Sequence, residues 1–277
     1  MKKLVLTAVI SALSLNAAYA YQVELNGNAT YENVDTSNGS TDFFGLGTGN
    51  SGIQGKDKPG IQGIYYFKNV TGNNAPLAEG AFTDRASNVN ASYSYAKDDD
   101  LKLRLNNFNV GGEFYIPNSD FYASANIGRT YAKVKGFKQV GETDYAAEVG
   151  LLPITNLLVA VGVAGFDNQS DSETDPTIRA KYLTKIGSND VNFEGRARFG
   201  NHDDNYDVSA DYYLDRTLSI GASYDLTTAD HVDNTYSIGL NARKFIQSNI
   251  SIQGGLNAGQ YVGNNDFGVN VGGTYRF

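Results

Sequence analysis

The chain has 277 residues, with 22 Lys and Arg against 30 Asp and Glu, a formal net charge of −8, two His and no Cys. That balance excludes a basic nucleic-acid-binding surface, and the lack of Cys excludes disulfides and thiolate metal sites. The composition includes 31 Gly, 19 Tyr and 14 Phe but no Trp, and with a mean hydropathy of −0.35 no stretch beyond residue 20 is apolar enough to cross a bilayer as a helix.

Residues 1–20 read MKKLVLTAVISALSLNAAYA. Lys2 and Lys3 form a positive start, residues 4–15 are mostly apolar but too short to span, and Ala18-Tyr19-Ala20 is a small-x-small cleavage site. Those three parts in that order are expected to be a secretory signal. There is no lipobox cysteine, so no lipid anchor is expected. From Tyr21 the pattern changes to period two. Tyr21, Val23, Leu25, Ala29 and Tyr31 alternate with Gln22, Glu24, Asn26, Asn28 and Thr30. A second segment, about 60–68, sets Ile61, Tyr65 and Phe67 opposite Gln62, Tyr66 and Lys68.

The alternation continues down the chain. Val89, Ala91, Tyr93 and Tyr95 share a face. Phe108, Val110, Phe114 and Ile116 lie opposite Glu113, then Ala123, Ala125 and Ile127 follow. Tyr145, Ala147, Val149 and Leu151 lie opposite Glu148. Residues 157–166 are apolar on both faces and leave their orientation open. Ile178, Ala180 and Tyr182 oppose Arg179 and Lys181. Val191, Phe193, Ala197 and Phe199 oppose Glu194, Arg196 and Arg198. Tyr206, Val208, Ala210, Tyr212 and Leu214 oppose Asp211. Leu218, Ile220, Ala222 and Tyr224 share a face. Tyr236, Ile238, Leu240 and Ala242 oppose Arg243. Ile250, Ile252, Leu256 and Ala258 follow. Phe267, Val269, Val271, Tyr275 and Phe277 close the chain opposite Arg276. Sustained period-two alternation predicts strands, fourteen of them.

A soluble sandwich would alternate too. Three features point instead to an all-β transmembrane antiparallel barrel over residues 21–277. Connections after even strands are tight (117–120, 153–156, 187–190, 215–217), and those after odd strands are longer and acidic (32–59, 167–175, 226–234), which matches short periplasmic turns and longer outer loops. Aromatic residues such as Tyr21, Tyr31, Tyr93, Phe199 and Phe277 collect near strand ends, where interfacial girdles form. Charges stand at mid-strand on the polar face, where a dry core would penalise them and a watery lumen would not. One connection breaks the pattern. Residues 69–86 follow an even strand yet include Pro76, Leu77 and Phe82; a long loop with its own apolar residues is expected to fold into or under the periplasmic mouth and narrow it.

The last five residues, Gly273-Thr274-Tyr275-Arg276-Phe277, resemble the C-terminal signal of outer-membrane proteins, which implies that Tyr275 and Phe277 are recognised by the barrel-assembly machinery. Phe67-Lys68-Asn69-Val70, Pro76-Leu77-Ala78-Glu79, Ala86-Ser87-Asn88-Val89 and Ser92-Tyr93-Ser94-Tyr95 look like a block in the outer-membrane porins of Acinetobacter and its relatives. Tyr21-Gln22-Val23-Glu24, Leu151-Leu152-Pro153, residues 157–162 and Arg179-Ala180-Lys181-Tyr182 fit the same family in the same order. The resemblance implies a monomeric fourteen-stranded barrel among outer-membrane lipid and lipopolysaccharide, with a narrow polar channel for water and small hydrophilic solutes. The chain departs from the family in its outer loops, notably the Gly-rich 43–60.

From the alternation, Glu113, Glu148, Arg179, Lys181, Glu194, Arg196, Arg198, Asp211, Arg243 and Arg276 are expected to point inward. Acids facing bases across a pore set a transverse field that tunes selectivity. Arg179, Arg196 and Arg198 on neighbouring strands form either a basic ladder or the structural partners of Glu194 and Glu148. Catalysis is not expected. The only His, His202 and His231, fall in outer loops without a nucleophile motif. No cofactor is expected. Asp98-Asp99-Asp100 and the run Asp171, Glu173, Asp175 lack the full calcium-loop pattern and are at most loose Ca²⁺ sites. Gly45, Gly47 and Gly49 form a flexible loop, not a nucleotide fingerprint. The alternative to a porin is a structural or adhesive barrel with a closed lumen. It would fill the interior with large side chains, whereas the inner face expected here is rich in Gly, Ser, Asn and Ala.

Overall fold

A computed structural model describes residues 20–34, 57–72, 75–98, 102–168, 170–230, 233–261 and 264–277. Residues 1–19 of the expected signal, residues 43–56 of the Gly-rich loop with its three glycines, Asp99, Asp100 and His231 lie outside them, whereas residues 57–60 of that expected loop open the second strand. Fourteen strands follow in order: β1 Tyr21–Val34, β2 Asp57–Val70, β3 Asn88–Asp98, β4 Leu103–Tyr115, β5 Phe121–Val134, β6 Val140–Ile154, β7 Leu157–Asn168, β8 Ser172–Ile186, β9 Asn189–Phe199, β10 Asp203–Asp215, β11 Leu218–Ala229, β12 Thr235–Gln247, β13 Ile250–Tyr261 and β14 Asn264–Arg276. Each pairs antiparallel with the next, and β1 pairs with β14 to close the barrel. Closure removes every sheet edge, so within the wall each backbone N–H and C=O finds a partner in the ladder.

The alternation settles which face is which. Val110 pairs with Ile127, and Ile127 with Tyr145. Val149 pairs with Val161, and Val161 with Ile178. Farther round, Leu240 pairs with Leu256 and Leu256 with Val269. These side chains all point outward, and apart from the half-buried Tyr145 they stand exposed, Leu240 to 61% and Val161 to 55%. A continuous apolar belt of this kind is far larger than any soluble monomer tolerates, and it is the surface a bilayer covers. The ambiguous segment resolves in the same way. In β7 Val159, Val161 and Val163 face outward, while Leu158, Ala160 and Ala164 are buried inside.

Two expectations need correction. The strands outrun the alternation that predicts them. β4 begins at Leu103 rather than near Phe108, β11 continues to Ala229, and β8 begins at Ser172, so most of the acidic stretch expected as an outer loop is hairpin. Lipid imposes the apolar period only across the bilayer, but backbone pairing continues into water, where side chains are free to be polar. The second concerns Tyr21, expected in the outer girdle. It is 8% exposed and packs edge-on against Tyr66 at 5.6 Å. A register shift between Tyr21 and Val23 is the cause, since slipping by one residue turns a side chain to the opposite face.

The start of β1 at Tyr21 and the end of β14 at Arg276 lie at one rim of the barrel, with the tight turns. Further register irregularities lie at that rim, after Leu151, Tyr213 and Phe245. Pro153 occupies the first, where no ladder N–H is required. The described residues between β2 and β3, 71–72 and 75–87, turn inward from the same rim. They carry a 3₁₀ turn at Leu77–Glu79 and a helical turn at Gly80–Thr83. The entry is fastened by the Asp84 carboxylate, which accepts from Thr71 N at 2.5 Å, Thr71 Oγ1 at 2.9 Å and Gly72 N at 3.0 Å. Gly72 has φ +58°, and a Cβ there would come within 3.1 Å of the Gly80 Cα, so this crossing requires glycine.

Candidate functional site

The inward return ties itself to the β10–β11 turn across the barrel and to β14 beside the closing seam. Leu77 N donates to Arg216 O at 2.8 Å, and Arg216 Nε donates to Ala75 O at 3.0 Å. The Arg276 guanidinium on β14 donates to Leu77 O at 2.8 Å. The return brings Phe82 into an apolar cluster with Tyr122, Leu152, Leu158, Leu183 and Tyr213. It also brings one buried carboxylate, Glu79. Tyr213 donates its hydroxyl to Glu79 Oε1 at 2.7 Å, and Lys181 Nζ lies 2.9 Å from Oε2. The same ammonium stands 5.0 Å from the centre of the Phe82 ring, a cation–π distance.

From Lys181 the charges continue as one network. Lys181 lies 3.9 Å from Glu194. Glu194 accepts from Arg179 Nε at 3.1 Å and from Arg196 NH2 at 2.6 Å. Arg179 reaches on through NH1 to Glu113 at 3.5 Å, Glu148 at 3.7 Å and the Tyr122 hydroxyl at 3.3 Å. Tyr122 in turn donates to Glu113 at 2.7 Å. Arg179 on β8 and Glu113 on β4 are not neighbours in the sheet, so this bridge runs through the interior. Arg179 is 6% exposed and Glu148 3%. Charges this deep hold only when paired. Glu148 Oε1 has no hydrogen-bond partner among the described residues, so the acid side of the network is the less well satisfied.

Of the ten residues expected to face inward, six therefore meet: Glu113, Glu148, Arg179, Lys181, Glu194 and Arg196. The other four do not join them. Arg198 lies toward the opposite rim, 2.6 Å from Asp175 and also paired with Asp203. Arg243 Nε donates to Gln253 at 2.9 Å. Asp211 stands opposite Gly221 in the ladder. Arg276 closes the seam between the first and last strands, where it donates to Glu24 at 2.7 Å and lies 4.5 Å and 4.7 Å from the rings of Tyr21 and Phe245. The arginines expected on adjacent strands are adjacent, with Arg179 opposite Arg196 and Thr177 opposite Arg198. Arg179 and Arg196 share Glu194 and Arg198 has Asp175, which makes the row a charge-compensated one.

Glu79, Glu24, Asp175, Tyr122 and Tyr213 are the partners that sequence reasoning missed. Glu79 carried a signal: a single carboxylate among Leu77, Ala78 and Phe82 must find a base if that apolar stretch is buried. Asp175, read as a loose Ca²⁺ ligand, is 2% exposed in β8 and belongs to Arg198. Among the described residues no group of three or more His, Asp and Glu gathers at a metal-sized site. At the seam, Phe277 O accepts from Gln22 N at 3.0 Å and Val23 N at 2.9 Å. Its ring, 44% exposed, lies 5.6 Å from that of Tyr275.

Known proteins match this geometry. The chain is 25% identical to the Acinetobacter baumannii outer membrane protein Omp33, over 94% of this chain and 100% of that one, with a TM-score of 0.67. The CymD monoaromatic hydrocarbon channel shares the fold at a TM-score of 0.57, with 8% identity over 93% of this chain and 88% of that one. No curated protein sequence matches. The family described as "Putative general bacterial porin" matches residues 1–277. The chain belongs to that family and is a porin of the bacterial outer membrane.

Proposed function

We propose that the chain forms a narrow polar channel for passive diffusion of water, ions and small hydrophilic solutes, constricted at the periplasmic mouth by the return between β2 and β3. The single observation that carries this reading is the network running from Glu79 through Lys181 and Glu194 to Arg179 and Glu113. It crosses the interior from β4 to β8 and β9 and meets the inward return, so a permeating solute passes a transverse field of paired acids and bases. Arg243, Arg276, Arg198 and Asp211 line the way above and below it. In this reading the rim with the tight turns faces the periplasm and the return lies at that mouth, as the short-turn asymmetry of outer-membrane barrels supports. Tyr275 and Phe277 are the residues the barrel-assembly machinery reads, and their outward-facing rings at the closing seam are accessible for it. Residues 1–20 act as the export signal. The channel works as a monomer, performs no catalysis, and meets lipopolysaccharide on the outer half of its apolar belt.

One observation favours a second reading, a structural or adhesive barrel with a closed lumen. The return packs Phe82 against Tyr122, Leu152 and Leu183 and so occupies part of the mouth with side chains. Single-channel recording of the refolded protein in a planar bilayer separates the two. Steady ohmic steps support the channel. Silence from protein verified as folded by heat-modifiable migration refutes it in favour of the closed barrel.

A further inference from the structure

Outside the lumen, the inward fold of the return leaves a recess at the same rim. It has a volume of about 590 Å³ and lies between the return and the β4–β5 turn, with Phe67, Lys68, Arg85, Ile116 and Asp120 in its wall. Its two sides differ in chemistry. Phe67 and Ile116 are 52% and 51% exposed and belong to the outward apolar face. The Phe67 ring stacks on Phe114 at 6.0 Å and meets Tyr65 edge-on at 5.9 Å, so the lipid-facing aromatic girdle ends at the recess. On the side toward the turns stand two cations and two carboxylates. Lys68 donates to Asp84 O. Arg85 lies 2.9 Å from Asp120 Oδ1 and donates to Ser119 O at 3.2 Å, both through NH1, which leaves its other edge for a ligand. The Asp84 carboxylate is occupied by Thr71 and Gly72. Asp120 keeps its side chain 65% exposed.

We propose that this recess binds a glycerophospholipid of the periplasmic leaflet whose headgroup carries a phosphate beside a primary ammonium, as phosphatidylethanolamine does. The wall alternates plus and minus over a few ångströms. A zwitterion meets both signs, with its phosphate against Lys68 and the open edge of Arg85 and its ammonium against Asp120. A purely anionic headgroup would set its phosphate on the same two cations but bring no ammonium to Asp120, and a quaternary ammonium offers Asp120 no N–H. The volume falls in the range of sites that enclose small ligands. The acyl chains continue along Phe67, Phe114 and Ile116, already turned to lipid. The recess exists because the chain turns inward after Val70, so the same return that enters the lumen opens the site beside it.

The test is native mass spectrometry of the full barrel released from nanodiscs of phosphatidylethanolamine, phosphatidylglycerol and phosphatidylcholine in equal parts. The expected result is preferential retention of one phosphatidylethanolamine. Lys68→Ala combined with Arg85→Ala lowers retention on the order of tenfold, the worth of about one charge-assisted hydrogen bond. Asp120→Asn levels phosphatidylethanolamine with phosphatidylglycerol. Lys185→Ala, a matched exposed rim cation paired with Asp190 at 2.8 Å, leaves retention unchanged. Equal retention of the three lipids by the parent protein overturns the proposal. So does undiminished retention by the double variant in heat-modifiable form. Equal occupancy by chain-free glycerophosphoethanolamine at the same concentration overturns the lipid identity, because the apolar wall would then contribute nothing.

Discussion

Glu79→Ala tests whether the return is a constriction held by chemistry. The substitution removes the acceptor of the Tyr213 hydroxyl and the partner of Lys181 at 2.9 Å, in side chains only 7% and 16% exposed. Breaking a buried pair costs about 3–5 kcal/mol. Lys181 keeps Glu194 at 3.9 Å and the Phe82 ring, so the lower figure of about 3 kcal/mol is appropriate. Undocked, Glu79 is hydrated and loses nothing by removal. The whole cost therefore falls on the docked state and shifts the docked-to-undocked ratio on the order of 100-fold. Tyr213→Phe removes only the hydrogen bond to the carboxylate, about 1.5 kcal/mol, and shifts the ratio about tenfold. In planar bilayers both variants raise the time spent in the largest conductance level, Glu79→Ala more than Tyr213→Phe. Identical conductance and dwell times in parent and both variants, with each barrel folded, would refute the reasoning.

Other perturbations reach other parts of the structure. Glu194→Gln removes the carboxylate shared by Arg179, Arg196 and Lys181; reversal potentials in a salt gradient should move toward anion selectivity, and no movement would mean that the network does not face permeating ions. Val161→Arg puts a charge in the apolar belt and should destabilise the barrel by about 2–4 kcal/mol, read as a lowered urea midpoint, whereas Gly195→Ala, on the same outward face beside Val208 with only ordinary contacts around an added Cβ, should leave that midpoint nearly unchanged. Phe277→Ser should slow assembly in cells yet leave the purified barrel able to refold in detergent; normal cellular yield would remove Phe277 from any recognition role.

The barrel was legible because lipid writes a simple rule. Wherever a strand crosses the bilayer, every second residue must be apolar, and Val149, Val161 and Ile178 obey it in register. The rule lapses where lipid stops, so the strand ends at 172–175 and 226–229 read as loops. It also fails at irregularities, as at Tyr21, because one displaced residue reverses the face without changing the composition. Charges inside the barrel were visible as types and faces but not as partners. That Arg179 on β8 meets Glu113 on β4 depends on the curvature of the wall, which no local spacing encodes. Glu79 was harder still, since its position depends on where an irregular segment folds. Only its isolation among apolar neighbours hinted that it would need a base.

The seam has a consequence for the order of events during assembly. Arg276 joins Glu24 across 252 positions of sequence, and joining chain segments that distant is slow compared with forming hairpins. The same guanidinium donates to Leu77 O, which makes one of the anchors of the return a residue of the last strand. Until β14 has zipped onto β1 that anchor is not in place, and the inward segment has only part of its berth. A barrel still opening and closing at its seam would be a leakier object than a finished one. Completion of the wall and tightening of the mouth are thus coupled through one side chain, and the pore acquires its final restriction only as the cylinder becomes whole.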